Sequence, residues 1–507
     1  MKGVEVVSGR YVLGVDLGTS SIKASVLDLE KGSIIGGSIP LEVSYPDSFS
    51  AEQDPGCWWE AFVALMRKLS GKLNGLNDVS AVGLSGQMLG LALVDRDGEP
   101  VRPCLIWCDQ RSHRENEEIK ERLGLRRIVE LTANTPLPGY WLPKILWLRK
   151  HEPKNLKNAV KFLLPKDFLR FKLTGNYVTD VSDASGTLLF DVQNRCWSRK
   201  ILDIFSIDEN LLPQAVESPV ITGEVTRKAS SETGLPAGIP VVGGGGDQSS
   251  GGIGLGVIRE GILSCVLGTS GVVMAKTDDV KLDFENRGLH SFCYSMPGKW
   301  FLMGCTLAAG GSYQWLREAF SVIKPNMSFS DMNKLAESVP PGSEGLLFLP
   351  YLIGERTPHS DPMARGVFVG LSYRHTAAHL IRAVIEGVAF SQKDSVEILK
   401  SFSLTGKTLI VSGGAAKSPL WCQVLADVTG IPTQTTNIED PASSGAAFIA
   451  GVGSGLFRSF EEVCERFIRK LASFEPTLEE VKRYDEKYIA YQKTYQGLKE
   501  VFPLLQA

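Results

Sequence analysis

Residues 11–29, YVLGVDLGTSSIKASVLDL, set the fold of this chain. Two runs of apolar and β-branched residues flank the turn Gly18-Thr19-Ser20, which is the pattern of a β-hairpin. The first run carries Asp16, so a carboxylate precedes a turn that offers backbone N–H groups and hydroxyls. Such a turn can bind phosphate oxygens, because glycine lets a ligand approach the backbone closely. The alternative interpretation is an ordinary tight hairpin.

The same pattern returns in residues 261–275, GILSCVLGTSGVVMA, about 250 residues further along the chain. An apolar run again leads into Leu-Gly-Thr-Ser, and a second apolar run follows. The repeat favours phosphate binding over a plain hairpin, since two such turns can hold one nucleotide tail from both sides. We therefore predict a duplicated domain with its join near residues 250–260.

The remaining sequence alternates between strand and helix patterns, which predicts an α/β fold. Short β-prone runs end in glycine or serine, and amphipathic or apolar runs follow them. Residues 444–451 are small and apolar, which suits close helix packing. The predicted strands are 79–84 and 408–412, and the predicted helices are 115–123, 143–150, 377–399 and 418–429. Residues 461–499 are interpreted as one or two charged helices that cover the surface.

Composition excludes several classes of protein. The chain has 507 residues, which is too long for one ordinary core. Its 54 Lys and Arg against 57 Asp and Glu give a net charge of −3, so no basic excess favours nucleic acid or an anionic membrane. No stretch reaches about 18 uninterrupted apolar residues, and the N-terminus lacks the apolar region of a signal peptide. We expect neither nucleic-acid nor membrane partners.

Cysteine, histidine and tryptophan give little functional signal. The nine cysteines form no CxxC pair, so reduced thiols in a cytosolic protein are expected rather than zinc or disulfides. The six histidines form no HExxH motif. Trp58, Trp59 and Trp107 are interpreted as packing residues. Residues 401–408 resemble a Walker A loop, but Ser401 stands where that loop requires glycine.

Two glycine-rich segments carry the other candidates. In residues 243–256, GGGGDQSSGGIGLG, Asp247 is a lone carboxylate that can act as general base toward a substrate hydroxyl in phosphoryl transfer. The alternative is an Asp that bonds its own turn amides. Residues 413–418, GGAAKS, follow a strand and precede a helix, where a planar ligand can lie on bare backbone. The alternative there is a plain strand-to-helix turn.

These pieces, in this order, resemble the FGGY carbohydrate kinases, a family within the actin, hexokinase and heat-shock ATPase superfamily. The resemblance runs from about residue 11 to residue 455. The matching segments are residues 16–20, 85–88, 107–111, 143–147, 246–248, 267–271, 309–315, 366–386 and 413–418.

The resemblance implies two ribonuclease-H-like domains around a central cleft. It places the sugar on an N-terminal domain, residues 1–255, and ATP on a C-terminal domain, residues 256–460. A helical extension, residues 461–507, would follow. The implied ligands are ATP, Mg²⁺ and a small sugar, and a cytoplasmic protein that can form a homodimer is expected.

Specific roles also follow from the resemblance. Asp247 is expected to be the catalytic base, and Asp16 to position Mg²⁺. The expected nucleotide-binding residues are Thr19, Ser20, Gly268, Thr269, Gly310, Gln314, Gly414 and Ser418. The expected sugar-binding residues are Gln87, Met88, Leu89, Asp247 and Gln248.

Within the family the chain is most similar to xylulokinases, so D-xylulose is the expected sugar. Leu89 departs from that group, because xylulokinases usually carry a histidine there that contacts the sugar. Loss of a polar contact weakens discrimination between hydroxylated substrates. Gln248 stands where many xylulokinases have Asn and is similar to glycerol kinases, but Met88-Leu89 replaces the Arg-Glu pair of those enzymes.

Two other readings of the sequence remain open, besides a third, a sugar-binding regulator that has lost activity, against which the intact Asp16 and Asp247 argue. The first is a kinase for ribulose, another ketose or glycerol, which Leu89 suggests. The second is a non-catalytic, nucleotide-switched module of the same superfamily. Gly246-Asp247-Gln248 and the absence of a peptide-binding domain argue against that module.

Overall fold

The computed structural model describes residues 9–322 and 324–506 in two halves, each built on a seven-stranded mixed sheet. The strands of the first half are β1 (Tyr11–Leu17), β2 (Ser21–Asp28), β3 (Ser33–Pro40), β4 (Glu52–Gln53), β5 (Val79–Gly86), β6 (Ala92–Val94), β7 (Cys104–Leu105), β8 (Lys161–Leu163), β9 (Val178–Asp180), β10 (Phe190–Asp191), β11 (Cys196–Trp197), β12 (Gln214–Val216), β13 (Ile221–Glu224), β14 (Pro240–Val242) and β15 (Gly245–Gly246). Its helices are α1 (Pro55–Leu73), α2 (His113–Leu123), α3 (Leu125–Thr132), α4 (Trp141–His151), α5 (Pro153–Asn158), α6 (Pro165–Thr174), α7 (Val181–Ala184), α8 (Arg199–Phe205), α9 (Arg227–Thr233) and α10 (Asp247–Gly254).

The second half repeats this mixture of strands and helices. Its strands are β16 (Ile262–Leu267), β17 (Gly271–Thr277), β18 (Leu289–Cys293), β19 (Trp300–Thr306), β20 (Leu347–Leu349), β21 (Val367–Val369), β22 (Thr408–Gly413), β23 (Thr433–Thr436) and β24 (Lys470–Phe474). Its helices are α11 (Gly310–Ser321), α12 (Phe329–Glu337), α13 (Ala377–Ser401), α14 (Pro419–Thr429), α15 (Pro441–Gly453), α16 (Phe460–Phe467) and α17 (Leu478–Leu498). Short 3₁₀ turns lie at Ser185–Thr187, Glu209–Leu211, Ser343–Gly345, Ala415–Lys417 and Phe502–Gln506.

The two large sheets share one strand pattern. In the first, the antiparallel strands β3, β2 and β1 continue into the parallel strands β5 and β14, and β15 also pairs with β5. In the second, the antiparallel strands β19, β17 and β16 continue into the parallel strands β22 and β23. The hairpins β1–β2 and β16–β17 occupy equivalent positions. This confirms the predicted duplication and the predicted α/β class.

Local sequence explains where the helices begin and end. Asp54 caps α1, because its carboxylate accepts the N–H of Gly56, and Pro55 occupies the first helical position. Helix α14 likewise begins with Pro419, and it ends at Gly430 in the left-handed conformation that glycine adopts at low cost. The predicted helices at 115–123, 143–150, 377–399 and 418–429 are all confirmed, with bounds that differ by one or two residues at individual ends.

The predicted helical character of residues 461–507 is wrong in one respect. Strand β24 lies between helices α16 and α17 and pairs antiparallel with β23, so the segment extends the second sheet. Helix α17 also contributes a row of buried aromatic rings to the core of the second half. That row is Tyr484, Tyr488, Tyr491 and Tyr495, spaced three or four residues apart along one helical face.

Helix α15 joins the two halves. It follows β23 of the second sheet, yet it packs against β1, β2 and β5 of the first sheet and against α10. A side-chain carbon at Gly14 on β1 would overlap the carbonyl oxygen of Ser443, and one at Gly83 on β5 would overlap that of Ala446. The helix can therefore approach the strands only because both positions are glycine.

A second junction lies at the edge of the second sheet. The hydroxyl of Tyr140 and Nδ1 of His290 on β18 form a hydrogen bond of 2.9 Å. The side chain of Asn134 also donates to the carbonyl oxygen of Ser291 at 2.8 Å. Burial lowers the pKa of His290 to about 3, so its imidazole is neutral at physiological pH. One apolar cluster contains side chains from both halves.

None of the helices in residues 9–322 and 324–506 is both long and apolar enough to span a membrane.

The contact of helix α15 with strand β1 predicts the effect of a single methyl group. Gly14→Ala would place a carbon against Ser443 and Ala447, and we expect it to lower the free energy of unfolding by about 3 kcal/mol, the upper end for overpacking. The control is Gly71→Ala on α1, where nothing lies within 4 Å. That change should stabilise the protein by about 0.5–1 kcal/mol. Urea unfolding curves measure both, and equal midpoints for the two variants would contradict the packing argument.

Candidate active site

Three predicted site segments meet at one edge of the first sheet. Asp16 on β1 lies opposite Ser85 on the parallel strand β5, and Ser85 lies opposite Gly245 on the parallel strand β15. The chain leaves these strands into the turn 18–20, into residues 87–89, and into α10. Ligands of open α/β sheets bind where parallel strands end. The candidate residues of the first half are therefore neighbours in space.

Two carboxylates mark this edge. Asp16 is buried, and the hydroxyl of Ser85 donates to it at 3.0 Å. Burial raises the pKa of Asp16 well above its usual value, and the negative charges of Asp440 and Asp247 raise it further. Burial likewise raises the pKa of Asp247 to about 6, although hydrogen bonds from Gln248 oppose the shift. Asp247 occupies the first position of helix α10, whereas the sequence suggested a glycine-flanked turn.

Asp440 is the site residue that sequence reasoning missed. It caps helix α15 by accepting hydrogen bonds from the N–H (3.0 Å) and hydroxyl (2.7 Å) of Ser443. It also forms an ion pair of 2.7 Å with Lys23, which precedes it by 417 residues in sequence. Lys23 lies on β2, opposite Asp16 on β1. The Asp-Pro pair before a run of small residues is an N-cap signal. Such a signal concerns only the start of a helix and does not indicate that Asp440 lies near Asp16.

The turn after β1 is tied to the sugar-side residues. The hydroxyl of Thr19 donates to the side-chain oxygen of Gln87 (3.1 Å) and accepts the indole N–H of Trp107 (2.9 Å). The amide of Gln87 in turn donates to Gln53 at 2.6 Å. The interpretation of Trp107 as a packing residue is wrong, because its side chain is 40% exposed and bonds the turn. Ser20 is exposed beside it.

Met88 and Leu89 lie beside the glycines of the site. Met88 is buried against Gly246, where an added carbon would lie 2.7 Å from its side chain. Leu89 is half-buried and has a positive φ of 70°, which is uncommon for a residue with a side chain. Its side chain lies near Gly139 and Gly186, and an added carbon at Gly186 would lie 2.6 Å from it. The side chain of Leu89 thus forms an apolar surface next to Gly139 and Gly186.

A buried polar network supports the strand before the candidate base. The hydroxyl of Ser182 accepts the N–H of Gly246 at 3.1 Å and donates to Asp180 at 2.5 Å. Arg170 donates to the carbonyl oxygen of Gly243. Asp180 is also ion-paired with Lys166 at 2.9 Å, and both are fully buried. Sequence reasoning missed this cluster, whose charged residues carry no motif of their own.

The second half presents bare backbone at its phosphate-type turn. Gly268 and Thr269 are exposed after β16. Their carbonyl oxygens accept the N–H groups of Gly310 and Ala309, both at 2.9 Å, so the start of α11 lies against the turn. Gln314 lies further along α11 and is hydrogen-bonded to Glu318. The structure thus brings Gly268, Thr269 and Gly310 into contact.

Gly414 and Ser418, which are also expected to bind the nucleotide, lie near this turn. Gly414 donates its N–H to the carbonyl oxygen of Leu267 at 3.0 Å, and Gly413 has a positive φ of 84°. A 3₁₀ turn, Ala415–Lys417, separates these two glycines from α14. The sequence did not indicate this turn. Ser418 accepts a hydrogen bond from Asn333 at 3.2 Å. Gly414 and Ser418 therefore flank one short turn.

Within the described part of the chain, no group of three or more His, Cys, Asp or Glu side chains is arranged to hold a metal ion by itself.

Comparisons with known proteins match both halves of the chain. Residues 11–254 match the N-terminal domain of the FGGY family of carbohydrate kinases, and residues 263–454 match its C-terminal domain. Among curated relatives, a xylulose kinase of Lactococcus lactis is 39% identical over 494 residues, covering 97% of each chain. A xylulose kinase of Bacillus subtilis is 35% identical over 505 residues, covering 98% of this chain and 99% of the relative.

Solved structures are similar over the same length. A xylulose kinase from Rhodospirillum rubrum superposes with a TM-score of 0.90 at 28% identity, covering 97% of this chain and 100% of that one. A gluconate kinase from Lactobacillus acidophilus superposes with a TM-score of 0.91 at 26% identity, covering 98% and 100%. With both of its halves matched, this chain belongs to the FGGY family of carbohydrate kinases.

Proposed function

We propose that this protein is a xylulose kinase, which transfers the γ-phosphoryl group of ATP to D-xylulose and forms D-xylulose 5-phosphate. The observation that carries the proposal is Asp247, a carboxylate of raised pKa at the ends of three parallel strands. The xylulose kinases that match nearly the whole chain support the choice of sugar.

In the proposed reaction the sugar hydroxyl oxygen forms a bond to the γ-phosphorus of ATP. The bond between that phosphorus and the β–γ bridging oxygen breaks, and ADP leaves. Asp247 accepts the proton of the attacking hydroxyl. A pKa of about 6 suits this role, because the carboxylate is ionised at neutral pH and still basic enough to accept a proton in the transition state.

The remaining expected residues are assigned to the nucleotide. We assign the turn with Thr19 and Ser20, and the turn with Gly268 and Thr269, to the phosphoryl oxygens. Gly310, Gln314, Gly414 and Ser418 are assigned to the rest of ATP. The exposed backbone of both glycine turns in the second half supports this assignment, since donors fixed before the reaction stabilise developing charge effectively.

Magnesium is part of the proposal, with Asp16 as the residue that would hold it. Asp16 lies within electrostatic reach of two other carboxylates, Asp440 and Asp247, and Lys23, the cation among its electrostatic neighbours, is already paired with Asp440. A divalent cation fits this excess of negative charge. Mg²⁺ usually binds one or two carboxylates together with waters and substrate phosphates, so a three-carboxylate cage is not needed. When bound, Mg²⁺ neutralises charge on the phosphate oxygens.

The proposal includes a cytoplasmic location, in which the nine free thiols would stay reduced. D-xylulose and ATP are its proposed partners. The proposal also includes a homodimer, which rests only on the resemblance to the family.

The choice of sugar can be tested with a panel of substrates. In a coupled ADP assay, D-xylulose should give kcat/KM at least about tenfold above that for D-ribulose, L-ribulose, glycerol and gluconate, as a site built to hydrogen-bond hydroxyls requires. Gluconate belongs in the panel because a gluconate kinase superposes on the chain. A preference for another sugar would replace D-xylulose in the proposal, and ATP turnover without any sugar would contradict a kinase.

Removal of the candidate base is the second test. Asp247→Asn and Asp247→Ala should each lower kcat at least about 100-fold, the typical contribution of a general base. Binding of a non-hydrolysable ATP analogue, measured by calorimetry, should change less than threefold. The matched control is Asp97→Asn, whose side chain is 74% exposed, just after strand β6. If Asp247→Asn keeps a kcat above a tenth of the wild-type value, Asp247 is not the general base.

The pH dependence should report the charge of Asp440. In the wild type, kcat/KM should fall as pH drops through about 6, since protonation removes the base form of Asp247. Asp440→Asn removes a negative charge that raises the pKa of Asp247, so the midpoint should move to lower pH. Glu439→Gln, at the exposed neighbouring position, should leave it in place. A midpoint unchanged in Asp440→Asn would show that the two carboxylates do not interact.

A further inference from the structure

A fully buried ammonium group lies behind the sugar side of the site. Lys144, the fourth residue of α4, donates to the main-chain oxygens of Leu89 (2.8 Å), Leu105 (3.0 Å) and Ile106 (2.9 Å). A lysine has three N–H donors and no acceptor, so these three bonds use its whole capacity. Its partners are all carbonyl groups of the main chain.

This arrangement is costly as a packing device. Burial of a charge is unfavourable, and it lowers the pKa of Lys144 to about 8. A methionine has a similar length and would fill the same space without desolvating an amine. The ammonium therefore contributes something that an apolar side chain cannot, namely fixed positions for three oxygen atoms.

The three oxygens belong to the two segments that form the sugar side of the site. Leu89 ends the segment that leaves β5, and Ile106 directly precedes Trp107, whose indole N–H bonds Thr19. Leu89 has a positive φ, a conformation that persists only where the surroundings hold it. A hydrogen bond at its carbonyl oxygen supplies such a restraint, and the same amine restrains the start of the other segment.

Two other residues close to Lys144 in sequence also contact the segments that contain Leu89 and Trp107. The indole N–H of Trp141 donates to the carbonyl oxygen of Gly90 at 2.7 Å, directly after Leu89. Gly139 lies so close to the carbonyl oxygen of Trp107 that a side-chain carbon there would overlap it. Residues 139–144 thus contact the Leu89 and Trp107 segments at several points, with Lys144 as the one side chain bonded to both.

We propose that Lys144 is a positioning residue for sugar binding: its ammonium holds Leu89 and Trp107 at the spacing that the sugar requires. The inference rests on the proposed kinase function and concerns the sugar rather than ATP. Lys144 contacts neither reacting group, so its loss should weaken sugar binding and leave the chemical step largely intact.

The first test is Lys144→Met, which keeps the length and loses all three hydrogen bonds. We expect KM for D-xylulose, or for the sugar that the panel selects, to rise at least about tenfold, as for loss of a buried hydrogen-bonding group. KM for ATP and kcat should change less than threefold. The matched control is Lys150→Met on the same helix, whose side chain is 45% exposed and pairs with Glu115 and Glu118. Equal sugar KM values in Lys144→Met and wild type would overturn the proposal.

The second test uses the wild type alone and applies even where Lys144→Met does not fold. Deprotonation of Lys144 leaves two N–H donors for three carbonyl groups, so the sugar KM should rise between pH 7 and 9.5 while the ATP KM stays level. The thiols of Cys104 and Cys108 lie near the amine, but burial raises the pKa of both, to about 12 for Cys104. Asp109 and Arg111, the other charged neighbours, are ion-paired at 2.8 Å.

A sugar KM that stays constant over this pH range would overturn the positioning role. So would parallel rises in the KM values for sugar and ATP, or a rise that persists unchanged in Lys144→Met. A wild-type protein that phosphorylates no sugar of the panel would overturn the proposed function and this inference together. An active wild type with an insensitive sugar KM would overturn this inference alone.

Discussion

The close approach of helix α15 to the first sheet is the contact on which the rest of the structure depends. A helix that follows a strand of the second sheet lies directly on the backbone of the first, and Gly14 and Gly83 provide the space. The same helix also lies directly on the backbone of α10, because a side-chain carbon at Gly445 would overlap the carbonyl oxygen of Ser250. Because protein interiors are close-packed, this fit fixes the ends of α10 and α15 relative to β1.

That fit also sets the electrostatics of the site. It brings the cap of α15, Asp440, to Lys23 and within electrostatic reach of Asp16 and Asp247, so three acidic groups from distant parts of the chain share one neighbourhood. Such crowding raises the pKa of buried carboxylates and favours a bound cation. The packing of small residues and the chemistry of the proposed kinase thus have the same physical origin.

Local patterns in the sequence predicted much of this. The two Leu-Gly-Thr-Ser hairpins and the strand-to-glycine segments are short, and turn chemistry specifies them, so the duplication and the α/β class could be derived and are confirmed. Strand β24 was missed because the charged run before α17 has no strand period. Trp107 was misjudged because the acceptor of its indole N–H, Thr19, lies 88 residues away.

The sequence by itself determined the strand–turn units and identified Asp247 as the candidate base, since both depend on residues that are neighbours along the chain. Only the tertiary structure brought Asp440 within electrostatic reach of Asp16, and Lys144 into contact with the main chain of Leu89. The physical reason is that a contact between distant residues leaves no local periodicity or turn signal. It exists only once the sheets have paired and the helices have packed on them.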